Sequence, residues 1–528
     1  MINYKGGKSV KVQFIWPNFD CPIGNSIGVA YLSGALKQAG HNTRILHICE
    51  WLDYPFDLDR IQSDVRTYDP DLIAFSTGFA HYPEMRQTAA RLKETMDKPI
   101  LFGGIHTTLN TMAVMKENPW IDFANVGEGD DSILDLVAAL NRGGDTTSIP
   151  NVWARKDGKV IANASRRLKD ITVMPWMDVE NWPQFKKITE NRRGWVNVYM
   201  NRGCPYRCTY CHNNGVAKVL QESFQTKTSS NADLGYLRLR GIDDMLEELK
   251  SIMEKFDNVK AFSFNDDTFT MDQEYMKAFL SRYKKEIGLP WICNTTVLDV
   301  DREMLEVMKD ANCDLVRFGV ETATSRIKRE ILKRDFSSKK TEEVFSICRE
   351  IGLRSFAFNI IANPTETREE MRDTLRLNSK LLPDGLKVSL GYPFPGTEYH
   401  TISEKLDLID ESRHIHNFIH DTKLKWSDAD RLWIDKVRCV YWWWMNIYLE
   451  NESSPLYAEL VKMVEAMLEE EWLDPETERR MWDLDDALSN VLKRRNITHY
   501  TIPFKDRPEI SILHLAKPTL DQEVLDPH

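Results

Sequence analysis

Residues 196–212 read VNVYMNRGCPYRCTYCH, a β-rich run that leads directly into three closely spaced cysteines, Cys204, Cys208 and Cys211. Thiolates are soft ligands that suit iron–sulfur clusters or zinc. Their spacing lets one loop wrap three irons, and because no fourth cysteine lies nearby, one iron of a [4Fe–4S] cluster would stay open for substrate. A closed structural zinc site normally has four ligands, and His212 is awkwardly placed as the fourth since it directly follows Cys211. A zinc knuckle, or three unligated thiols, is the alternative interpretation.

The bulk composition places this loop in a chain of 528 residues that carries a net charge of −11. The other six cysteines are scattered singly, so the trio indicates metal binding in a reducing compartment rather than disulfides. The apolar run 10–16 is too short for a secretion signal, and no uncharged apolar stretch reaches the roughly 18 residues of a transmembrane helix. We therefore expect a cytoplasmic protein. The acidic balance gives no sign of a nucleic-acid partner.

Outward from the cysteines, strand and helix patterns alternate until about residue 391. Six strands are predicted, each followed by a helix: 196–200, 261–264, 291–296, 315–319, 354–361 and 387–391. Six such units predict a partial (β/α) barrel rather than a closed eight-fold one. Beyond residue 400 the strand signals stop, and residues 401–528 are predicted to be mainly helical.

The residues before the barrel show a second α/β pattern. Five short strands with intervening helices predict a doubly wound parallel sheet, at 10–16, 43–48, 72–76, 100–102 and 123–126. Such sheets bind ligands beyond the carboxyl ends of their strands. The expected organisation is a sheet domain at 1–150, a connector with a hairpin at 151–193, the barrel at 194–400 and a helical cap at 401–528.

The cysteine spacing C-x-x-x-C-x-x-C, placed after the first strand of a β/α series, resembles that of the radical S-adenosylmethionine (SAM) superfamily. Tyr210 matches the aromatic residue that precedes the third cysteine in that family. The resemblance implies that the open iron binds the amino and carboxylate groups of SAM. It also implies an external electron donor, such as a flavodoxin or ferredoxin, whose electron cleaves SAM to a 5′-deoxyadenosyl radical.

Further residues at the predicted strand ends match SAM-binding positions of the same family. The resemblance implies that Asp266 and Asp267 meet the SAM amino group, although the same residues could form an Asx turn. Glu321, in Gly-Val-Glu-Thr, would reach the ribose. Arg334, in Lys-Arg, would face the carboxylate or else be a solvated helix end. Pro395 belongs to a Pro-Gly-Thr turn typical of the family.

The N-terminal part is similar to the cobalamin-binding domain of the class B radical SAM methyltransferases and their cyclase relatives. The matching residues follow predicted strands: Ser76, Thr77, Gly103, Gly104, His106, Gly127, Glu128 and Gly129. The resemblance implies that these residues contact cobalamin, with the glycines permitting a close approach of its nucleotide tail. A flavodoxin-like domain without a ligand is the alternative. The motif D-x-H-x-x-G, which supplies a histidine to cobalt, is absent, and the nearest candidate is His81 after the third strand.

Together these resemblances imply a cobalamin-dependent radical SAM enzyme acting on a small molecule. The most direct expectation is methylation of an unactivated carbon. An anaerobic oxidative cyclase or hydroxylase acting on a porphyrin-like or other apolar substrate is the first alternative. A non-catalytic corrinoid-binding regulator is the second, although the intact cysteine trio argues against it.

Overall fold

The computed structural model describes residues 8–502, except 414, 416, 417, 419 and 420, together with the backbone of Leu513–His514. The chain divides into two compact units, Met1–Ala261 with Phe394–His400, and Phe262–Pro393 with Thr401–His528. The four-part division expected from the sequence remains a prediction.

The first unit begins with a seven-stranded sheet. Its strands are β1 Lys11–Pro17, β2 Asn42–Ile48, β3 Leu72–Ser76, β4 Ile100–Gly103, β5 Phe123–Asn125, β6 Val152–Lys156 and β7 Lys159–Ile161, in the spatial order β2-β1-β3-β4-β5-β6-β7. The first five are parallel, as predicted. The hairpin β6–β7, expected within a connector, extends this sheet by pairing antiparallel to β5.

Apolar side chains on both faces explain why these strands form a buried parallel sheet. Ile15, Phe75 and Phe102 are almost fully buried in one core cluster beneath the helices. The helices of this part are Ile27–Gln38, Leu58–Tyr68, Tyr82–Thr95, Ile105–Leu109, Thr111–Glu117 and Ser132–Arg142.

The rest of the first unit carries the cysteine loop. The helix Phe185–Asn191 leads to β8, Trp195–Val198, and then to a short antiparallel ribbon of β9, Asn201–Arg202, with β10, Arg238–Leu239. Local periodicity does not show this ribbon, since two-residue strands have no pattern of their own. The helices His212–Ser223 and Ile242–Lys255 complete this part.

The second unit contains parallel strands in the order β15-β14-β13-β12-β11. They are β11 Ala261–Phe264, β12 Trp291–Thr295, β13 Cys313–Glu321, β14 Arg354–Ile361 and β15 Gly385–Leu390. Between them lie the helices Gln273–Glu286, Arg302–Asp310, Ser338–Glu350 and Arg368–Leu381, and a π-helix at Ile327–Leu332. With β8 of the first unit, these are the six strands predicted from the sequence.

Helices dominate the chain after β15. They are Glu398–Lys405, Asp428–Cys439, Tyr441–Ile447, Ser454–Ala466, Glu469–Trp472 and Pro475–Arg494. A two-stranded ribbon of β16, His499–Tyr500, with β17, Leu513–His514, follows them. Trp443 is fully buried and donates a hydrogen bond to Asp485 at 2.6 Å, so the aromatic run 441–444 packs as core. The predicted fold class, α/β with a doubly wound N-terminal sheet, a partial (β/α)6 barrel and a helical C-terminal region, is confirmed. Among the residues described, no helix combines the length and apolarity needed to span a bilayer.

Candidate active site

The three cysteines lie on one loop between β9 and the helix His212–Ser223. None of the three forms a disulfide; Cys208 is buried, and Cys204 and Cys211 are half-buried. The amide of Cys211 donates to the carbonyl of Cys208 at 3.2 Å, so the second and third cysteines belong to one tight turn at the start of the helix. Three soft donors on one loop, two of them partly accessible, fit the ligand set of an iron–sulfur cluster.

Residues outside the loop hold its shape. The side-chain amide of Asn231 donates to the carbonyls of Cys204 at 2.7 Å and Tyr206 at 3.3 Å, while its oxygen accepts from Arg207 at 2.9 Å. Gly203 has φ +91°, and a Cβ there would overlap the backbone of Tyr236. The Asn231 hydrogen bonds and the close packing at Gly203 hold the loop in this conformation. In the described part of the chain, no three His, Cys, Asp or Glu side chains surround a single ion position.

Tyr210 and Pro395 are both half-buried in the first unit. The carbonyl of Thr209, next to Tyr210, accepts from the amide of Tyr399 at 3.0 Å. The carbonyl of Pro395 accepts from the side chain of Asn110 at 3.4 Å. The Pro-Gly-Thr turn is thus joined both to the cysteine loop and to the segment after β4.

The remaining predicted SAM contacts belong to the second unit. Asp266 is buried immediately after β11, whereas Asp267 is exposed. Glu321 ends β13 with φ +65°, and Arg334 donates to the carbonyl of Gly319 at 3.1 Å. A Cβ on Gly319 would overlap both side chains, so the glycine is what allows Glu321 and Arg334 to meet there.

Lys328 is a residue that the motif search did not single out. It lies on the π-helix and is 2% exposed, and its Nζ lies 4.5 Å from the centroid of the Phe336 ring. Burial, with the nearby charge of Arg334, lowers its pKa to about 8. Single π-turns often mark functional sites, but a lone lysine on a polar helix gives no local signal of burial.

The segment after β14 departs from the family pattern Gly-x-Pro-Gly-Glu-Thr, with Ala362 and Thr365 in place of the glycines. Both residues nevertheless adopt the left-handed backbone that favours glycine, with φ +58° and +63°. Glu366 is 2% exposed, and it accepts hydrogen bonds from the amide and side chain of Asn363 at 2.9 and 3.0 Å. This turn therefore keeps its shape without the glycines.

Glu366 gives a pH-dependent prediction. Burial raises its pKa to about 7, against the lowering effect of the Asn363 hydrogen bonds. The native state therefore favours the neutral acid, and wild type loses stability as pH rises from about 4.5 through 7. Glutamine cannot ionise, so the stability of Glu366→Gln relative to wild type should rise by about 3 kcal/mol over this range. Thermal unfolding of both proteins between pH 4.5 and 8 measures the difference.

Glu370, one turn further on, is the matched control. A hydrogen bond from Arg326 holds its pKa below the usual range, so its ionised form stabilises the native state. The stability of Glu370→Gln relative to wild type should therefore fall as pH rises. Parallel pH profiles for wild type and Glu366→Gln would show that folding does not raise the pKa of Glu366.

At the ends of β3 and β4, Ser76 is half-buried and Thr77 is buried. Gly104 has φ +92°, and a Cβ there would lie 2.5 Å from the carbonyl oxygen of Thr77 and 2.8 Å from its nitrogen. The chain's own backbone thus requires this glycine. Gly103 differs, since a Cβ there would make only ordinary contacts of 3.7–3.8 Å.

His106 belongs to an aromatic group, the Phe79 cluster, which consists of Phe79, Tyr82, His106, His212 and Phe394. His106 stacks on Tyr82 with ring centroids 3.9 Å apart, and Phe79 stacks on His212 at 5.0 Å. Burial lowers the pKa of both histidines to about 4, so both rings are neutral near pH 7. His212 directly follows Cys211, so the Phe79 cluster connects the loop after β3 to the cysteine loop.

The loop after β5 contains Gly127, Glu128 and Gly129. The amide of Gly127 donates to the hydroxyl of Thr108 at 3.1 Å, and Gly129 packs against Leu32. Glu128 accepts hydrogen bonds from Arg238, one at 3.0 Å, and lies 3.2 Å from Arg202. Its carboxylate is therefore already engaged by the β9–β10 ribbon.

Comparison with known families adds to this geometry. A model of the radical SAM superfamily matches residues 198–377, and a model of the B12-binding domain matches residues 22–137. The chain contains a radical SAM domain and a B12-binding domain. The first implies a [4Fe–4S] cluster and SAM, and the second implies cobalamin.

Two curated relatives and one solved structure are similar to this chain over most of its length. The chain is 27% identical over 404 residues to an uncharacterized methyltransferase of Pyrococcus horikoshii, covering 74% of this chain and 82% of the relative. It is 24% identical over 427 residues to the anaerobic magnesium-protoporphyrin IX monomethyl ester cyclase of Rubrivivax gelatinosus, covering 78% and 73%. Its fold resembles TsrM of Kitasatospora setae with cobalamin and a [4Fe–4S] cluster bound, with a TM-score of 0.61 and 15% identity over 87% of this chain and 99% of that one.

A hydrogen bond engages Nε2 of His81, in the B12-binding domain, so this nitrogen does not serve as a cobalt ligand. That nitrogen lies 2.8 Å from the carbonyl oxygen of Phe19, and since a carbonyl only accepts, Nε2 carries the proton. We predict that cobalamin binds with neither its own base nor a histidine on cobalt. The cob(II)alamin form should then show no nitrogen splitting of its cobalt lines in electron paramagnetic resonance, in wild type and in His81→Ala alike. A triplet pattern in wild type that disappears in His81→Ala would contradict this.

Proposed function

We propose that this protein is a cobalamin-dependent radical SAM methyltransferase that methylates an unactivated carbon of a small molecule. The observation that carries the proposal is the contact, within one compact unit, between the cysteine loop and the loops after β3, β4 and β5. Phe79 reaches His212, Leu109 packs against Gly215, and Asp130 binds Arg202. Adjacent cluster and corrinoid sites are what methyl transfer to a radical carbon requires.

The residues have distinct roles in this proposal. Cys204, Cys208 and Cys211 hold the cluster, whose chemistry when loaded is the reductive cleavage of SAM. The residues that we infer to bind SAM are Tyr210 and Pro395 in the first unit, and Asp266, Asp267, Glu321 and Arg334 in the second. These side chains orient SAM by charge and hydrogen bonding, since carboxylates suit its amino group and Arg334 suits its carboxylate.

A third set of residues holds cobalamin beyond the carboxyl ends of the first sheet. It comprises Ser76, Thr77, Gly103, Gly104, His106, Gly127, Glu128 and Gly129. Because the Glu128 carboxylate is engaged by Arg238, this loop contributes its backbone to the corrinoid, and Glu128 fixes the loop. The buried, neutral rings of the Phe79 cluster help to exclude water between the two sites.

The proposal also covers partners and location. We infer that a flavodoxin or ferredoxin supplies the reducing electron, that the enzyme works in the cytoplasm, and that it has no nucleic-acid partner. The cysteine chemistry requires a reducing environment, and the sequence carries an acidic net charge of −11.

Product analysis tests the function. Anaerobically reconstituted enzyme, supplied with SAM, hydroxocobalamin and a strong reductant, should form both 5′-deoxyadenosine and S-adenosylhomocysteine in the presence of its substrate. Untargeted metabolite comparison of a deletion strain with its parent identifies that substrate, whose product should carry one additional methyl group. Formation of 5′-deoxyadenosine with a product of unchanged carbon count would contradict methylation.

That contrary result would favour the second candidate, an anaerobic cyclase or hydroxylase. The similarity to the Rubrivivax gelatinosus cyclase over 78% of this chain is the observation that favours it. A corrinoid-binding regulator would instead bind cobalamin and form no 5′-deoxyadenosine.

A further inference from the structure

An ion-paired ribbon connects the loop after β5 to the strand that leads into the cluster loop. Arg202, on β9 two residues before Cys204, donates to both carboxylate oxygens of Asp130 at 2.9 and 3.0 Å. On the partner strand β10, Arg238 donates to Glu128. Two acidic residues of one loop thus hold two arginines of one ribbon.

The register of the ribbon makes these acids necessary. Arg202 and Arg238 stand directly opposite each other across the antiparallel pair. Like charges in this position repel each other, and the ribbon has only two residues on each strand with which to offset the repulsion. Glu128 lies within 3.2 Å of Arg202 as well as bonding Arg238, so it bridges the two guanidinium groups. Without the acidic loop, the two guanidinium groups would face each other without these counter-charges.

The pairs are also poorly hydrated, which strengthens their mutual dependence. The side chains of Asp130 and Arg238 are each 10% exposed, and that of Arg202 is 22% exposed. Burial alone would oppose ionisation of Asp130, but the Arg202 guanidinium outweighs it and holds the pKa of the carboxyl below its usual range. A buried charge that loses its partner is strongly disfavoured. Displacing the loop after β5 would therefore leave the arginines of the ribbon without their partners, and displacing the ribbon would do the same to Asp130 and Glu128.

We propose that Arg202 and Arg238 are positioning residues that couple corrinoid binding to the conformation of the cluster loop. The inference rests on the proposed placement of cobalamin at loop 127–130. An ordered cluster loop holds β9 in position. Through Arg202 and Arg238 the ribbon then holds Asp130 and Glu128, and these two residues hold the loop backbone that meets the corrinoid. Because coupling between two sites is reciprocal, corrinoid binding stabilises the cluster loop to the same extent.

Titration of hydroxocobalamin into anaerobic protein, followed by absorbance, tests the coupling. Wild type with its cluster loaded should bind the corrinoid about 5- to 150-fold more tightly than cluster-free wild type, the usual range for coupled sites. In Arg202→Gln and in Asp130→Asn this ratio should fall towards one, while each protein still binds cluster and corrinoid separately. Arg202→Lys keeps the charge but loses the two-point contact, and it should give an intermediate ratio.

The control is Lys93→Gln, which removes the pair between Lys93 and Asp122. This pair is similarly buried, with side chains 28% and 29% exposed, but lies within the first sheet region. In Lys93→Gln, the ratio of corrinoid affinities with and without the cluster should remain that of wild type. This result would separate a loss of coupling from a general loss of stability. Equal affinities in loaded and cluster-free wild type, or a wild-type ratio in both Arg202→Gln and Asp130→Asn, would overturn the inference. Failure of wild type to bind any corrinoid would instead overturn the proposed function.

A spectroscopic measurement covers the case in which a variant folds poorly. Corrinoid binding should shift the electron paramagnetic resonance signal of the reduced cluster in wild type. The shift should be reduced in Arg202→Lys and in Arg238→Lys, both of which retain a cation at the ribbon. An unchanged shift in both lysine variants would count against a positioning role.

Discussion

Replacing Cys204, Cys208 and Cys211 together with alanine is expected to abolish cluster binding and formation of 5′-deoxyadenosine. The loop is held by Asn231 and Gly203 rather than by the thiols, so the variant should fold and lose only its metal ligands. Reconstituted wild type should bind about four irons per chain, and the variant essentially none. Iron analysis and chromatography of the SAM-derived products measure the two effects.

Cys439→Ala is the matched control for the trio. Cys439 is half-buried, like Cys204 and Cys211, but burial raises the pKa of its thiol to about 12, so it stays protonated and is a poor ligand. The control should retain full iron content and activity. Formation of 5′-deoxyadenosine by the triple variant would refute the assignment of the cluster to these cysteines.

The second large effect is expected at Gly104. An added methyl group there would lie 2.5 Å from the Thr77 oxygen, and φ is already +92°, so Gly104→Ala should cost several kcal/mol of stability, at least about 4. Thermal unfolding measures the loss. The overlap involves the protein's own backbone, so this loss of stability is expected with or without cobalamin, and a contact between Gly104 and the corrinoid tail stays a prediction.

Gly40 and Gly103 provide the controls for this prediction. Gly40 has nearly the same φ, +89°, with nothing within 4 Å of an added Cβ, so Gly40→Ala should cost only about 1 kcal/mol. Gly103 can accept a Cβ with ordinary contacts, so Gly103→Ala should fold normally and weaken corrinoid binding if the corrinoid approaches here. Similar stability losses for Gly40→Ala and Gly104→Ala would show that the strained φ, not the overlap, sets the cost.

Much of the fold was predictable because the residue patterns that mark a strand or a helix lie within a few neighbouring positions of the sequence. The strands 72–76 and 261–264 were located to the residue, since each is a short apolar run with polar residues at its ends. The cysteine spacing was readable for the same reason, because the three proposed cluster ligands lie within eight consecutive residues. The two-residue strands β9 and β10 were not predicted, since their pairing depends on residues 36 positions apart.

The sequence by itself determined the order of elements, the spacing of the three cysteines and the positions of the glycine-rich loops, because each is encoded by residues close together in the chain. The tertiary structure alone decided which of those residues serve the fold. It placed Arg202 on Asp130, Phe79 on His212 and Gly104 against Thr77, and gave Ala362 and Thr365 the backbone of absent glycines. The first two pairs join residues 72 and 133 positions apart, and such contacts depend on how whole elements pack, which no local pattern of residue types records.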